Sequence, residues 1–188
     1  MARKALIEND ELLDRLAGTF REVGYEGASL ALLSQATGLK KASLYHRFPG
    51  GKEQMGAEVL QGAGKWLSAH VLEPLAGPGT PRARIEAMAR ELDVFYRGGE
   101  QACLLNLLSS PIGGKGPFSA AIRRLFEAFV AALEAVVAET GCQSTVARDR
   151  AERAVALIQG SLVLARGLGS GEPFQKMLKA LPDELLGR

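Results

Sequence analysis

Few residues in this chain of 188 have the types and spacing that chemistry demands. Two histidines, His46 and His70, stand far apart, and no group of residues shows metal-ligand spacing, so no metal is expected. No Ser/His/Asp or Cys/His pattern offers an activated nucleophile. The run Gly113-Gly-Lys-Gly116 lacks the leading glycine spacing and the following Ser or Thr of a phosphate loop. The sequence therefore predicts neither an enzyme nor a cofactor. What remains is charge. Residues 1–52 hold eight Lys/Arg against six Asp/Glu, while residues 53–188 are balanced, so the whole net charge of +2 arises in the first part. No acid lies between Glu26 and Glu53, and Lys40, Lys41, Arg47 and Lys52 all fall in that interval. Such a stretch attracts phosphate if the fold gathers it on one face; otherwise it is a solvated basic surface.

The elements that would have to position those cations are short helices. Leu13, Leu16, Ala17, Phe20 and Val23 recur at helical spacing, with Asn9 or Asp10 available as a cap and Gly24 as a stop. In residues 29–48, SLALLSQATGLKKASLYHRF, Ser29 caps a helix over 30–36, Gly38 makes a tight turn, and a second helix runs from about Lys40 to Arg47. That is a helix-turn-helix pattern. The second helix carries no acid and is rich in small or hydrogen-bonding side chains. Lys40, Lys41, Ser43 and His46 can therefore approach phosphates and base edges. Lysine is a flexible point charge, which suits Lys40 and Lys41 to phosphate better than to bases. Leu44 and Phe48, four apart, would pin the helix to Leu33 and Phe20.

Residues 8–60 resemble the N-terminal domain of TetR-family transcriptional regulators. The resemblance rests on Phe20-Arg-Glu-Val-Gly-Tyr25, Ser29, the Ala36-Thr-Gly-Leu39 turn, Ser43-Leu-Tyr-His-Arg-Phe48 and Lys52-Glu53. It implies an all-α homodimer that binds a pseudo-palindromic operator in double-stranded DNA and releases it on binding a small-molecule effector. It also implies roles: Lys41, Ala42, Ser43 and His46 match positions that read bases or neighbouring phosphates, and Ser29, Tyr45 and Lys52 match positions that contact the backbone. Two departures stand out. Lys40 occupies the place of the family's usual Ser or Thr cap, and Pro49-Gly50-Gly51-Lys52 is one residue longer than the commonest form.

The rest of the chain also reads as helix, with no strand and no repeat. Helices are predicted over 52–72, from Pro81 to Gly98, over 101–109, 118–140, 145–168 and 173–186, with loops at 76–81 and 111–117. The organisation expected is a DNA-binding domain at 1–52 and a bundle at 53–188 for ligand binding and dimerisation, the pair of long helices meeting their copies. Trp66, Met88, Phe95, Tyr96, Phe126 and Phe129 could line an apolar effector pocket or be ordinary core. Two cysteines, Cys103 and Cys142, argue against a disulfide scaffold and fit a reducing cytoplasm. No apolar run reaches bilayer-spanning length and the start carries no signal-peptide pattern, so a cytoplasmic protein with no membrane partner is expected. The alternative to a regulator is an all-helical small-molecule carrier without specific DNA binding.

Overall fold

The computed structural model describes residues 8–110 and 114–187, and among them there are helices but no strands. Ten α-helices follow in order: α1 (Asn9–Gly27), α2 (Leu30–Thr37), α3 (Lys41–Arg47), α4 (Gly51–Leu67), α5 (Glu73–Leu75), α6 (Pro81–Phe95), α7 (Leu104–Leu107), α8 (Ser119–Ala138), α9 (Ser144–Leu168) and α10 (Glu172–Leu186). The described residues fall into two compact units. One draws on Met1–Ala63 and Leu104–Ser119, the other on Gly64–Cys103 and Ala120–Arg188.

In the first unit, α1 buries Leu12, Leu16, Ala17 and Phe20. The predicted stripe holds at Leu16, Ala17 and Phe20, but Leu12 rather than half-buried Leu13 completes it, and Val23, next to the break at Gly24, is exposed. The helical backbone breaks at Gly24. The start differs from expectation: Glu8 occupies the cap position without a side-chain bond, because the Asn9 side chain is used elsewhere. Helix α2 begins as predicted, with Ser29 Oγ accepting the Leu32 N–H at 3.2 Å. It stops at Gly38, whose left-handed φ of 68° is strained for a residue bearing a Cβ. Thr37 Oγ donates to the Leu33 carbonyl at 2.7 Å and Ser34 Oγ to that of Leu39 at 2.6 Å, which ties the turn down. The segment from 104 onward completes this core. Phe118 meets the Tyr25 ring edge-on at 4.9 Å and lies against Gly56, where a Cβ would come within 2.6 Å of the Phe118 ring.

The second unit packs α10 on α6 and α9, burying Phe174, Leu178, Leu181 and Leu185 among Ile85, Met88, Leu92, Ile158 and Leu162. The helix predicted to stop before Pro74 instead continues, through a π-helical turn at Ser68–Leu72, into α5. The apolar run at 101–109 is helical only over Leu104–Leu107, since Arg97–Gly99 forms a 3₁₀ turn and Gln101 Nε2 donates back to the Phe95 carbonyl at 3.0 Å. The loop predicted at 111–117 lies partly outside the described residues. No helix among those described is long and apolar enough to cross a membrane.

One polar clamp holds this unit together. Arg84 is buried on α6. It donates to the Leu75 carbonyl at 2.7 Å and pairs with Glu139, while its Nε has no partner among the described residues. Glu139→Ala would strand a buried guanidinium. It should lower unfolding stability by about 3 kcal/mol in urea titrations, more than Arg84→Met, which removes the charge and keeps the apolar stem.

Candidate nucleic-acid interface

Helix α3 is only seven residues long, too short to hold itself in water. It is fixed because Leu44 and Phe48 are fully buried, as are Leu33 and Phe20 in the same unit. That burial turns every other side chain of α3 outward: Lys41, Ala42, Ser43, Tyr45, His46 and Arg47 are all exposed, and so is Lys40 just before them. Lys40 stands at the cap position with no side-chain cap bond, as its residue type predicts. Helical geometry divides the exposed side chains into two faces. Ala42, Ser43 and His46 line an open groove of about 670 Å³ with Asn9, Leu12, Leu39 and Arg47. Tyr45 turns toward Gly51, at the start of α4.

The basic stretch is less uniform than its sequence suggests. Arg47 is neutralised: its Nη2 donates to Glu58 Oε2 at 2.8 Å and to Asn9 Oδ1 at 2.7 Å, and its Nη1 to Glu58 Oε1 at 3.3 Å. Gln54 Nε2 donates to Glu58 Oε1 at 2.9 Å, and Gln54 Oε1 accepts the Gly50 N–H at the same distance. This chain of bonds runs from α1 through α3 to α4 and fixes the C-terminal end of α3 on both sides. Lys52, half-buried in the first turn of α4, donates to the Tyr25 carbonyl at 2.9 Å and lies 4.4 Å from the centre of the Tyr25 ring. Lys40 and Lys41 are therefore the unpaired cations of the stretch among the described residues. Ser29, beyond capping α2, is exposed.

Reading the sequence alone missed Arg47, Asn9 and Glu58 as a unit. The signal available was weak: the acid that matters lies eleven residues beyond Arg47, outside the acid-free stretch.

The aromatic set predicted as a pocket is brought together in part. Trp66 stacks on Phe95 with ring centres 3.8 Å apart, Phe95 meets Tyr96 edge-on at 5.0 Å, and Tyr96 meets Phe174 at 5.7 Å. Met88, Tyr96 and Phe129 are buried, whereas Trp66, Phe95 and Phe126 keep part of their surface. Two clefts in this unit, of about 290 and 720 Å³, are lined by other, mostly polar residues of α6, α9 and α10. His70 pairs with Glu91 at 3.0 Å and stacks on Trp66; the histidine is exposed and the glutamate half-buried. Cys103 is buried and Cys142 half-buried, both as free thiols.

Comparison with known proteins gives a consistent picture. Residues 12–59 match the profile described as bacterial regulatory proteins, tetR family, and residues 81–180 match that of the C-terminal domain of LmrA/YxaF-like transcriptional regulators. The HTH-type transcriptional regulator LmrA of Bacillus subtilis (strain 168) is 24% identical over 179 residues, covering 94% of this chain and 95% of that protein. Among solved structures, a TetR transcriptional regulator from Legionella pneumophila superposes with a TM-score of 0.79 at 20% identity, covering 95% of this chain and 97% of that one. A cysteine mutant of the TetR-family regulator CifR, solved with 26 bp double-strand operator DNA, gives 0.72 at 24% identity and covers 98% and 99%.

The Arg47–Glu58 pair makes a testable contribution. Burial by itself would raise the Glu58 pKa, but hydrogen bonds from Arg47 and Gln54 and the Arg47 charge outweigh it and hold the carboxyl below its usual range. A depressed carboxylate stabilises the fold above its unfolded pKa and loses that contribution as pH falls through the folded value. Glu58→Gln should therefore cost about 1 kcal/mol near pH 7. The gap between it and wild type should close in urea titrations carried out in strong acid.

Proposed function

This chain belongs to the TetR family of DNA-binding transcriptional regulators, not to an enzyme family, and from that premise we propose that it is a homodimeric repressor released from its operator by a small, largely apolar effector. The observation that carries the reading is α3: a recognition helix anchored by two buried side chains, with exposed Lys41, Ala42, Ser43 and His46 and no acid among them. In this reading those four residues meet bases and adjacent phosphates. Lys40, Tyr45 and Ser29 meet the sugar-phosphate backbone. Lys52 does so by exchanging the Tyr25 carbonyl for a phosphate oxygen, a stronger charge-assisted partner. The 26 bp operator bound by the relative CifR supports a duplex site of comparable kind.

Residues 1–52 then supply the DNA contacts, and residues 53–188 the dimer and effector contacts. Dimerisation is supported by α9. Leu157, Leu164 and Leu168 lie on one helical face and are exposed, the last two at 57% and 69%, with Val163 beside them. Gly160 on the same face has no neighbour within contact distance. A contiguous apolar stripe of this kind marks an interaction surface. Two-fold pairing through it would space two copies of α3 for a pseudo-palindrome. For the effector we assign walls formed by Trp66, Met88, Phe95, Tyr96, Phe126 and Phe129. The support is the part-exposed apolar surface of Trp66, Phe95 and Phe126, with Trp66 and Phe95 stacked at 3.8 Å. Release follows if the effector favours a dimer spacing that fits DNA poorly, with a typical coupling of about 1–3 kcal/mol.

Fluorescence anisotropy with DNA from upstream of the chain's own gene, followed by selection from random duplexes, tests the reading. Preferential binding by a dimer is the expected result. Equal, weak binding to every duplex would leave a carrier with a basic surface. Affinity should fall steeply with salt, and Lys41→Ala should reduce the slope of log affinity against log salt by about one per half-site. Leu164→Glu should convert the dimer to monomer in sedimentation experiments.

A further inference from the structure

We propose that the recognition helix selects its operator through the C5-methyl group of a pyrimidine, thymine or 5-methylcytosine, seated against Ala42 and Leu39. The inference rests on the operator-binding reading above and specifies what that face detects.

The groove beside α3 has polar and apolar parts, and the polar groups at one end are already engaged. Asn9 and Arg47 bond to each other, and Arg47 is further held by Glu58. The remaining surface is formed by Leu39, by Ala42 and, at its base, by buried Leu12, with Ser43 and His46 alongside. Ala42 is exposed and carries neither donor nor acceptor, so it cannot read the hydrogen-bonding pattern of a base pair. The apolar feature that a major groove presents is the pyrimidine C5-methyl, and an alanine methyl is among the groups that contact it. The occupant is further indicated by charge. Lys40 and Lys41, unpaired and exposed, adjoin this patch and suit the phosphates flanking a base step rather than an uncharged apolar ligand. Leu39 is held in place from behind, since its carbonyl accepts the Ser34 hydroxyl at 2.6 Å, so the apolar wall is preorganised.

The test uses the full-length protein and an operator obtained by selection from random duplexes. Each thymine of a half-site is replaced in turn by uracil, which removes only the methyl group. At one position affinity should fall about fourfold, the value of burying one methyl-sized group. At that position a 5-methylcytosine·guanine pair should bind tighter than cytosine·guanine by a similar factor. In Ala42→Gly the thymine-to-uracil ratio at that position should move to about one. General weakening of the short helix cancels in the ratio, and thermal melting checks folding. Ala42→Asn, which sets a polar amide in place of the methyl, should also erase the preference and stands in if the glycine variant does not fold. Uracil tolerated at every position, or a uracil penalty unchanged in both variants, overturns the inference while leaving the regulator intact. Failure of selection to yield any operator overturns the regulator reading and this inference with it.

Discussion

The exposed face of α3 depends on burying Leu44 and Phe48. Seven residues give too few backbone hydrogen bonds to offset the entropy of forming a helix, so α3 persists only as a lid on the core of its unit. Both side chains are fully buried, and that one constraint decides the orientation of all the others. Because the anchoring residues are four apart, they occupy a single stripe of the helix. The remaining positions are presented to solvent as a set whose mutual spacing is fixed by helical geometry. The absence of a side-chain cap at Lys40 is tolerable for the same reason: the anchor lies at the other end, and Ser34 holds the preceding turn through the Leu39 carbonyl.

Electrostatics then sorts four cations into two kinds. Arg47 and Lys52 are drawn inward, one to Glu58 and Asn9, the other to the carbonyl and ring of Tyr25. Lys40 and Lys41 are left without partners among the described residues. A guanidinium suits the bridging role, since its planar fork can bond the Glu58 carboxylate and the Asn9 amide oxygen together. The two lysines that remain outside are mobile point charges able to follow a phosphate backbone without demanding a fixed geometry. The uneven charge of the first fifty residues is thus partly spent on internal contacts and partly left exposed.

Much of this was legible before any coordinates. The middle of the α1 stripe at Leu16, Ala17 and Phe20, the Ser29 cap, the Gly38 turn and the burial of Leu44 and Phe48 are local patterns of period and residue type, and they stand where the sequence places them, whereas the ends of the stripe, Leu13 and Val23, do not. What could not be read depends on contacts between distant segments. The acid that neutralises Arg47 comes from α4, and Asn9, which looks like a helix cap, is instead an acceptor for Arg47. The apolar run at 101–109 signals burial correctly but not helix, because a 3₁₀ turn and the Gln101 side chain shape the backbone ahead of it. Pro74 does not end its helix, since the wider π turn before it rearranges the hydrogen bonding that a proline would otherwise disrupt. Of the six residues named as pocket walls, the stacking of Trp66, Phe95 and Tyr96 is a tertiary fact that no spacing encodes.

The seat of Phe118 bears on modularity. A ring supplied from far along the chain fills the space left by the missing side chain of Gly56 and covers the edge of Tyr25. The hydrophobic core of the unit that holds α3 is therefore discontinuous in sequence. Cutting the gene after the first sixty-odd codons would remove a piece of that core, whereas the helix-turn-helix motif itself would look whole on paper. Chimeras that graft this N-terminal head onto a different C-terminal domain must carry a surrogate aromatic for the vacated seat. In evolutionary exchange the head and the intervening segment that supplies Phe118 would have to travel together.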